Sequence, residues 1–207
     1  CIRDSVHTMN HMGNPDTMII DPVLKYRVVA HTIPPVESEV ITIQPGEHTI
    51  IPLITPQGKL KIILNTKKDY QFIVRKAGEN TTINVQNINK EQNYITGLYD
   101  IELLTLPRQY FKDVRINQNQ LTKLQLPSTG LANVLLPANG YGGVYLNDGD
   151  KLEEIYKFNG ESNQYKLTLL PGKYTVIYRA KSSKKYIYSN EKSFTIKSGK
   201  SQLIKIY

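Results

Sequence analysis

The sequence predicts an all-β protein, a tandem array of three small antiparallel β-sandwich modules. Three observations lead there: a tyrosine-led alternating segment recurs along the chain, turn signals separate short apolar-polar runs, and helical periodicity is absent. Tyr26-Arg-Val-Val-Ala-His-Thr-Ile-Pro34, Tyr99-Asp-Ile-Glu-Leu-Leu-Thr-Leu-Pro107 and Tyr174-Thr-Val-Ile-Tyr-Arg-Ala180 begin 73 and then 75 residues apart, and the first two share Thr-x-Pro in one frame. A repeated tyrosine followed by alternation marks the same strand in three copies of one unit.

A second alternating pair follows each tyrosine segment. It is Val40–Leu53 in the first copy, Val114–Leu126 in the second and Phe194–Ile206 in the third. Each pair is split by a turn, at Gln44-Pro-Gly-Glu47, Asn117-Gln-Asn-Gln120 and Lys197-Ser-Gly-Lys200. Pro followed by Gly suits a type II turn and Asn tolerates positive φ, so the three pairs are expected to be hairpins. The third copy is longer by residues in Lys181-Ser-Ser-Lys-Lys185, a polar loop tip where length costs little. Module starts repeat as well: Pro56-Gln-Gly58 and Pro127-Ser-Thr-Gly130 each precede an alternating run.

The second copy is then expected to hold strands at Lys59–Leu64, Tyr70–Arg75, Thr81–Val85, Leu98–Leu104, Phe111–Ile116 and Leu121–Leu126. Six or seven short strands with frequent turns describe a sandwich. The nearest approach to a helix, Asp150–Phe158, is short and lies between two strands. The modules are placed at 1–56, 57–128 and 129–207, joined by linkers too short to act as flexible tethers.

Module 1 lacks its first strand in this frame. Cys1-Ile-Arg-Asp4 aligns with the second strand, Phe72-Ile-Val-Arg75 or Val144-Tyr-Leu-Asn147. A sandwich short of a strand exposes an edge and part of its core. The expectation is that Cys1 lies inside a longer natural chain, and the rival account makes it the acylated first residue of a lipoprotein. As the lone cysteine it excludes an intrachain disulfide and a cysteine-cluster metal site.

The net charge of +8 is uneven: residues 1–55 carry 3 basic and 6 acidic side chains, 56–128 carry 11 and 6, and 129–207 carry 12 and 6. A basic pair of modules suits an anionic partner, but Lys181, Lys184, Lys185, Lys197 and Lys200 also serve as edge charges that block aggregation. With only six arginines and no reading element, nucleic acid is not expected. The longest apolar stretch, Ile50–Ile54 with Pro52 inside it, is far below the roughly 18 residues of a membrane-spanning helix, so no transmembrane segment is expected in this chain.

Catalytic constellations are absent: there is no G-x-S-x-G, H-E-x-x-H or phosphate-loop motif, and all four histidines, His7, His11, His31 and His48, fall in module 1. Asn147-Asp-Gly-Asp150 reads as a hairpin turn before it reads as a calcium loop. His7-Thr-Met9-Asn-His11-Met12 joins imidazole to thioether, a combination that suits copper; the plainer reading is an exposed loop tip. Tyr141, Tyr145, Tyr156, Tyr165, Tyr174, Tyr178, Tyr186, Tyr188 and Tyr207 crowd module 3, either as strand packing or as a platform for sugar rings.

The segments Tyr26–Pro35, Gly97–Arg108 and Leu170–Lys181 resemble the region downstream of the A domain in bacterial von Willebrand factor type A domain proteins of the Bacteroidetes kind. The resemblance implies an upstream binding domain whose metal-dependent site, D-x-S-x-S, is not matched by Asp4-Ser5-Val6. The Pro-Gly-x-Tyr-x-Val pattern of module 3 is similar to carboxypeptidase regulatory-like and transthyretin-like sandwiches, Ig-like accessory modules without catalysis that sometimes bind carbohydrate. Gly172–Val176 also resembles type IX secretion sorting domains, although internal repetition explains it better. The expected function is therefore a non-enzymatic spacer or stalk of a larger cell-envelope, periplasmic or extracellular bacterial protein. Its partners would be a protein or a cell-surface glycan, with no cofactor, no catalytic residue and no metal site. A glycan-binding module using the tyrosines of module 3 is the alternative, and copper at His7, Met9 and His11 the second.

Overall fold

The computed structural model describes residues 7–9, 17–182 and 189–207. Among these the chain forms eighteen strands and no helix. It divides into two compact units, Cys1–Ala30 with Pro35–Ile54, and His31–Pro34 with Thr55–Tyr207. Asp150–Phe158, the nearest helix candidate in the sequence, is a strand.

Unit 1 contains four two-residue strands, β1 (Lys25–Tyr26), β2 (Val29–Ala30), β3 (Val36–Glu37) and β4 (Ile41–Thr42). β1 pairs with β4, Tyr26 opposite Ile41, and β2 pairs with β3, Ala30 opposite Val36. Cys1–Asp4, the expected second strand, lies outside the described residues.

Unit 2 contains two sandwiches of the same topology. The first has β5 (Gln57–Ile63), β6 (Gln71–Lys76), β7 (Thr82–Asn87), β8 (Gln92–Ile95), β9 (Gly97–Leu103), β10 (Gln109–Ile116) and β11 (Leu121–Gln125). The second has β12 (Gly130–Leu135), β13 (Gly140–Asp148), β14 (Lys151–Lys157), β15 (Gln164–Leu169), β16 (Gly172–Ala180), β17 (Asn190–Ile196) and β18 (Ser201–Lys205). Four-stranded antiparallel sheets β10-β9-β6-β7 and β17-β16-β13-β14 face three-stranded sheets β11-β5-β8 and β18-β12-β15. Period-2 alternation creates each core: Leu60, Ile62 and Leu64 from one sheet meet Phe72, Val74, Tyr99, Ile101 and Leu103 from the other. In the second sandwich Ala132, Val134 and Leu136 meet Val144, Tyr174, Val176 and Tyr178.

The expected strands of the second copy match the structure to within one or two residues, and β8 was missed. Gln92-Asn93-Tyr94-Ile95 buries only Tyr94 fully, so it has no apolar alternation to read. The bond network around Tyr94 explains the burial: its hydroxyl donates to Gln86 Oε1 and accepts from Asn84 Nδ2, each at 2.8 Å.

The pairs expected to be hairpins are not hairpins. The turns form as read, with positive φ at Gly46, Asn119 and Gly199 and backbone bonds Glu47 N–Gln44 O, Gln120 N–Asn117 O and Lys200 N–Lys197 O. In unit 2, however, each turn carries the chain from one sheet to the other. β11 runs parallel to β5 and β18 parallel to β12, so the last strand of each sandwich pairs with its first. The turn's backbone groups are taken by the first strand: Asn119 N–H donates to Gln57 O at 2.9 Å, and Lys59 N–H to Gln120 O at 2.8 Å. This crossing explains the glycine at each module start. A Cβ on Gly58 would overlap the Asn117 carbonyl, and one on Gly130 would lie 2.5 Å from Ile196 Cγ2 and 2.8 Å from the carbonyl oxygens of both Lys197 and Lys200.

Gly130→Ala is expected to destabilise the protein by about 1–3 kcal/mol in urea unfolding, because three neighbours must shift. Gly97→Ala, at ordinary φ with the nearest atom 3.7 Å away, should be neutral or slightly stabilising in the same measurement.

Candidate functional site at the joint between two sandwiches

The loop from β9 to β10 begins Thr105-Leu106-Pro107. Thr105, 2% exposed, donates its hydroxyl to the Pro107 carbonyl at 2.8 Å across a cis Leu106–Pro107 peptide. Leu106 packs against the core of the second sandwich rather than its own. Leu170, between β15 and β16, does the reverse and belongs to the core of the first. Burying a leucine is worth about 1.5–3 kcal/mol, so this exchange of side chains is a substantial tie.

Hydrogen bonds reinforce it in series. The Leu170 N–H donates to the Leu106 carbonyl at 2.8 Å, and the Leu170 carbonyl accepts the Tyr174 hydroxyl at 2.6 Å. The second bond is a tyrosine corner, in which a buried phenol near the start of a strand bonds back to backbone a few residues upstream. The joint is completed by Tyr70 OH to Thr168 O at 3.4 Å, Thr129 Oγ1 to Thr66 Oγ1 at 3.0 Å and Thr129 N–H to Asn65 O at 3.3 Å.

The same hook occurs once more in unit 2. Thr32 Oγ1 donates to Pro34 O at 2.7 Å across a cis Ile33–Pro34 peptide, and Ile33 packs on the core of the first sandwich. The Ile33 carbonyl accepts the Ile95 N–H at 2.8 Å, and the Ile95 carbonyl accepts the Tyr99 hydroxyl at 2.6 Å. Ile95 and Leu170 thus play one role: N–H to the hook, C=O to the corner. The arrangement stops at the third repeat, where Ala180-Lys181-Ser182 replaces Thr-x-Pro. In unit 1 Tyr26 bonds instead to Asp21 O at 2.9 Å, and Pro22, which stands in the frame of Ile95, has no N–H to give.

Burial sets the electrostatics of these tyrosines. It raises Tyr99 and Tyr174 above the ordinary phenol value and pushes Tyr94 up to about 12. A charged cluster of the same sandwich centres on Glu102 of β9, whose side chain is 8% exposed. Arg75 Nη2 donates to Oε2 at 2.8 Å, Arg108 Nη1 donates to Oε1, and Tyr110 OH lies 3.5 Å from Oε1. The Arg75 guanidinium, helped by Arg108, holds the Glu102 carboxyl below its usual value against the opposing effect of burial. Glu102 thus ties Arg75 of β6 and Arg108 of the β9–β10 loop to β9.

Among the described residues, those singled out in the sequence do not assemble into one site. His7 and Met9 are exposed, His11 and Met12 lie outside the described residues, and His31 and His48 are exposed. No group of three metal-ligating side chains occurs among the described residues. Asp148 pairs with Lys151 across a two-residue turn with φ +61° at Gly149, the hairpin that the sequence favoured over a calcium loop. Of the module 3 tyrosines, Tyr165, Tyr174 and Tyr178 are core residues, and Tyr156 packs edge-on against Phe158 and Tyr165. Tyr145 is half-buried with its hydroxyl on Glu154, while Tyr141 and Tyr207 are exposed. Tyr186, Tyr188, Lys184, Lys185 and Asp4-Ser5-Val6 lie outside the described residues. Among the described residues no helix is long and apolar enough to cross a membrane.

No protein-family model matches the chain, and no curated protein matches it. Two solved structures are similar over most of its length. The Bacillus anthracis TIE protein is 19% identical with a TM-score of 0.29, covering 73% of this chain and 33% of that one. GBS52, the minor pilin of Streptococcus agalactiae, a Gram-positive pathogen, is 10% identical with a TM-score of 0.37, covering 72% of this chain and 94% of that one. The chain thus spans a third of the length of the first. Both superpositions are loose, and the all-β architecture rests on the strands and registers described above.

The sequence announced the tyrosines and the Thr-x-Pro frame without revealing that Ile95 and Leu170 bond to both. Replacing Tyr174 with Phe leaves a buried carbonyl on Leu170 without its donor, and should cost about 1–3 kcal/mol in urea unfolding. The raised phenols fix a pH dependence as well. Neutral-form stabilisation is complete below the ordinary tyrosine value of about 10 and is lost as pH rises towards about 12, so stability should fall in that window together with the growth of tyrosinate absorbance. Glu102→Gln should destabilise by about 1–3 kcal/mol at neutral pH, since two guanidinium groups lose their carboxylate. Glu102's contribution is present above the ordinary carboxylate value and lost as pH falls through its lowered value, so urea titrations of the two proteins should converge in acid.

Proposed function

We propose that this chain is a non-catalytic structural and interaction element of a larger cell-envelope or extracellular protein, a spacer that holds a binding partner away from its anchor. One observation carries the reading: the hook of Thr-x-Pro, apolar residue and corner tyrosine, built twice from the same frame. A joint made of reciprocal side-chain burial and backbone bonds resists bending where a flexible linker would not. The turns between strands are short, and the repeated frame at Thr105–Pro107 and Leu170 connects one sandwich to the next. Placement downstream of a von Willebrand A-type binding domain belongs to the same reading and is supported by the resemblance of Tyr26–Pro35, Gly97–Arg108 and Leu170–Lys181.

Leu106→Asp puts a charge into the second sandwich's core edge and tests the joint directly. In scanning calorimetry the two sandwiches of the unaltered protein should melt in one transition, and the variant should split it into two. Small-angle scattering should broaden the interdomain distance distribution of the variant. Two independent transitions in the unaltered protein would remove the rigid-spacer reading.

A further inference from the structure

Two Asn-Gly dipeptides, Asn139-Gly140 and Asn159-Gly160, meet at one end of the second sandwich, where Asn139 Nδ2 donates to the Glu161 carbonyl at 3.1 Å. Asparagine before glycine is open to attack by its own chain, because a following residue without Cβ lets its backbone nitrogen approach the side-chain amide. The fold treats the two pairs differently. Gly140 opens β13 opposite Ala180, and a Cβ on it would overlap the Arg179 carbonyl, so its backbone is packed into the ladder. The Asn139 amide nitrogen, which would have to leave, is held by Glu161.

Asn159 is exposed in the loop between β14 and β15. Its side-chain oxygen accepts two donors, the Tyr165 hydroxyl at 2.8 Å and the Glu161 N–H at 3.1 Å. The second bond closes an Asx turn, which folds the side-chain amide back along the following peptide. Gly160 has φ +76°, and its N–H goes to no backbone carbonyl among the described residues. Tyr165 is a core residue, 6% exposed. Burial raises its phenol above the ordinary value, and the backbone N–H groups of Ser162, Gly160 and Asn159, which face its oxygen, oppose that rise. A hydroxyl both donates and accepts, so Tyr165 stands between the Gly160 N–H and the Asn159 oxygen.

We propose that Asn159-Gly160 is a self-modifying site with Tyr165 as its catalytic residue. The Gly160 nitrogen bonds to Asn159 Cγ while its proton passes to Tyr165 Oη and the Tyr165 proton passes to Asn159 Oδ1. The Glu161 N–H stabilises the same oxygen as charge develops on it. The Cγ–Nδ2 bond then breaks, the nitrogen takes up the Oδ1 proton and departs as ammonia, and a five-membered imide remains. One water opens the imide at either carbonyl and leaves aspartate or isoaspartate at position 159. Either product adds a carboxylate beside Tyr165, and isoaspartate also lengthens the loop backbone by one carbon. The site lies at the opposite end of β15 from Leu170, so it holds or fails independently of the joint.

The test incubates the full chain at neutral pH, folded and in urea, and quantifies both Asn-Gly sites by mass spectrometry with electron-transfer fragmentation, which separates aspartate from isoaspartate. In the folded protein Asn159 should convert about tenfold or more faster than Asn139 and give both isomers, whereas in urea the two sites should convert at similar rates. Tyr165→Phe should slow conversion of Asn159 in the folded protein by about tenfold or more and leave Asn139 unchanged. Circular dichroism checks the fold of that variant; if it is unfolded, the comparison of the two sites in the unaltered protein decides. Conversion of Asn159 no faster than that of Asn139, faster conversion of Asn159 in urea than in the folded chain, aspartate without isoaspartate, or a folded Tyr165→Phe variant with the unaltered rate would each overturn the proposal.

Discussion

The two sandwiches depend on one residue position occupied by Ile95 in the first and Leu170 in the second. Its carbonyl accepts a buried tyrosine hydroxyl at 2.6 Å, and its N–H reaches the hook at 2.8 Å, in both places. A residue whose N–H and C=O are both bonded has the two peptide units that flank it held, so the corner that fixes the internal geometry of a sandwich also restricts where its hook partner can sit. The constraint is costly to break because Tyr99, Tyr174, Thr105 and Leu170 are buried, and a buried carbonyl without its donor loses its solvation with no return. Side-chain exchange between Leu106 and Leu170 then makes the two cores interdependent rather than merely adjacent.

Small sandwiches bury a modest fraction of their surface, which leaves each with little stability to spare. Sharing apolar residues across a joint enlarges both cores without lengthening either module, the economy that repeat proteins generally use. The parallel pairing of first and last strands contributes in another way. It closes each sandwich on itself and leaves the first-strand glycine trapped beneath a turn, so the module start is set by a close backbone approach rather than by local propensity.

Much of the strand content could be read from alternation, because each buried face is written at every second residue: the β5 run Gly58-Lys-Leu-Lys-Ile-Ile shows it plainly. β8 could not, since Tyr94 alone carries its burial and the reason is a hydrogen-bond network with Gln86 and Asn84. For the module 3 tyrosines the sequence offered both strand packing and a ligand platform, because it reports residue type and spacing but not which side of a twisted sheet is covered; Tyr165, Tyr174 and Tyr178 face inward. The Thr-x-Pro frame was visible as a repeat, yet nothing local to it indicated that its apolar middle residue belongs to another core.

The sequence by itself determined the period, the turn positions with their left-handed residues and the strands whose faces alternate, all consequences of interactions within a few residues. Tertiary structure decided the pairings: that Asn117–Gln120 and Lys197–Lys200 cross between sheets instead of closing hairpins, that β11 and β18 run parallel to the first strands, and that Leu106 and Leu170 exchange cores. A strand's two edges are chemically alike, and which partner takes each one depends on the backbone groups that distant segments leave unpaired.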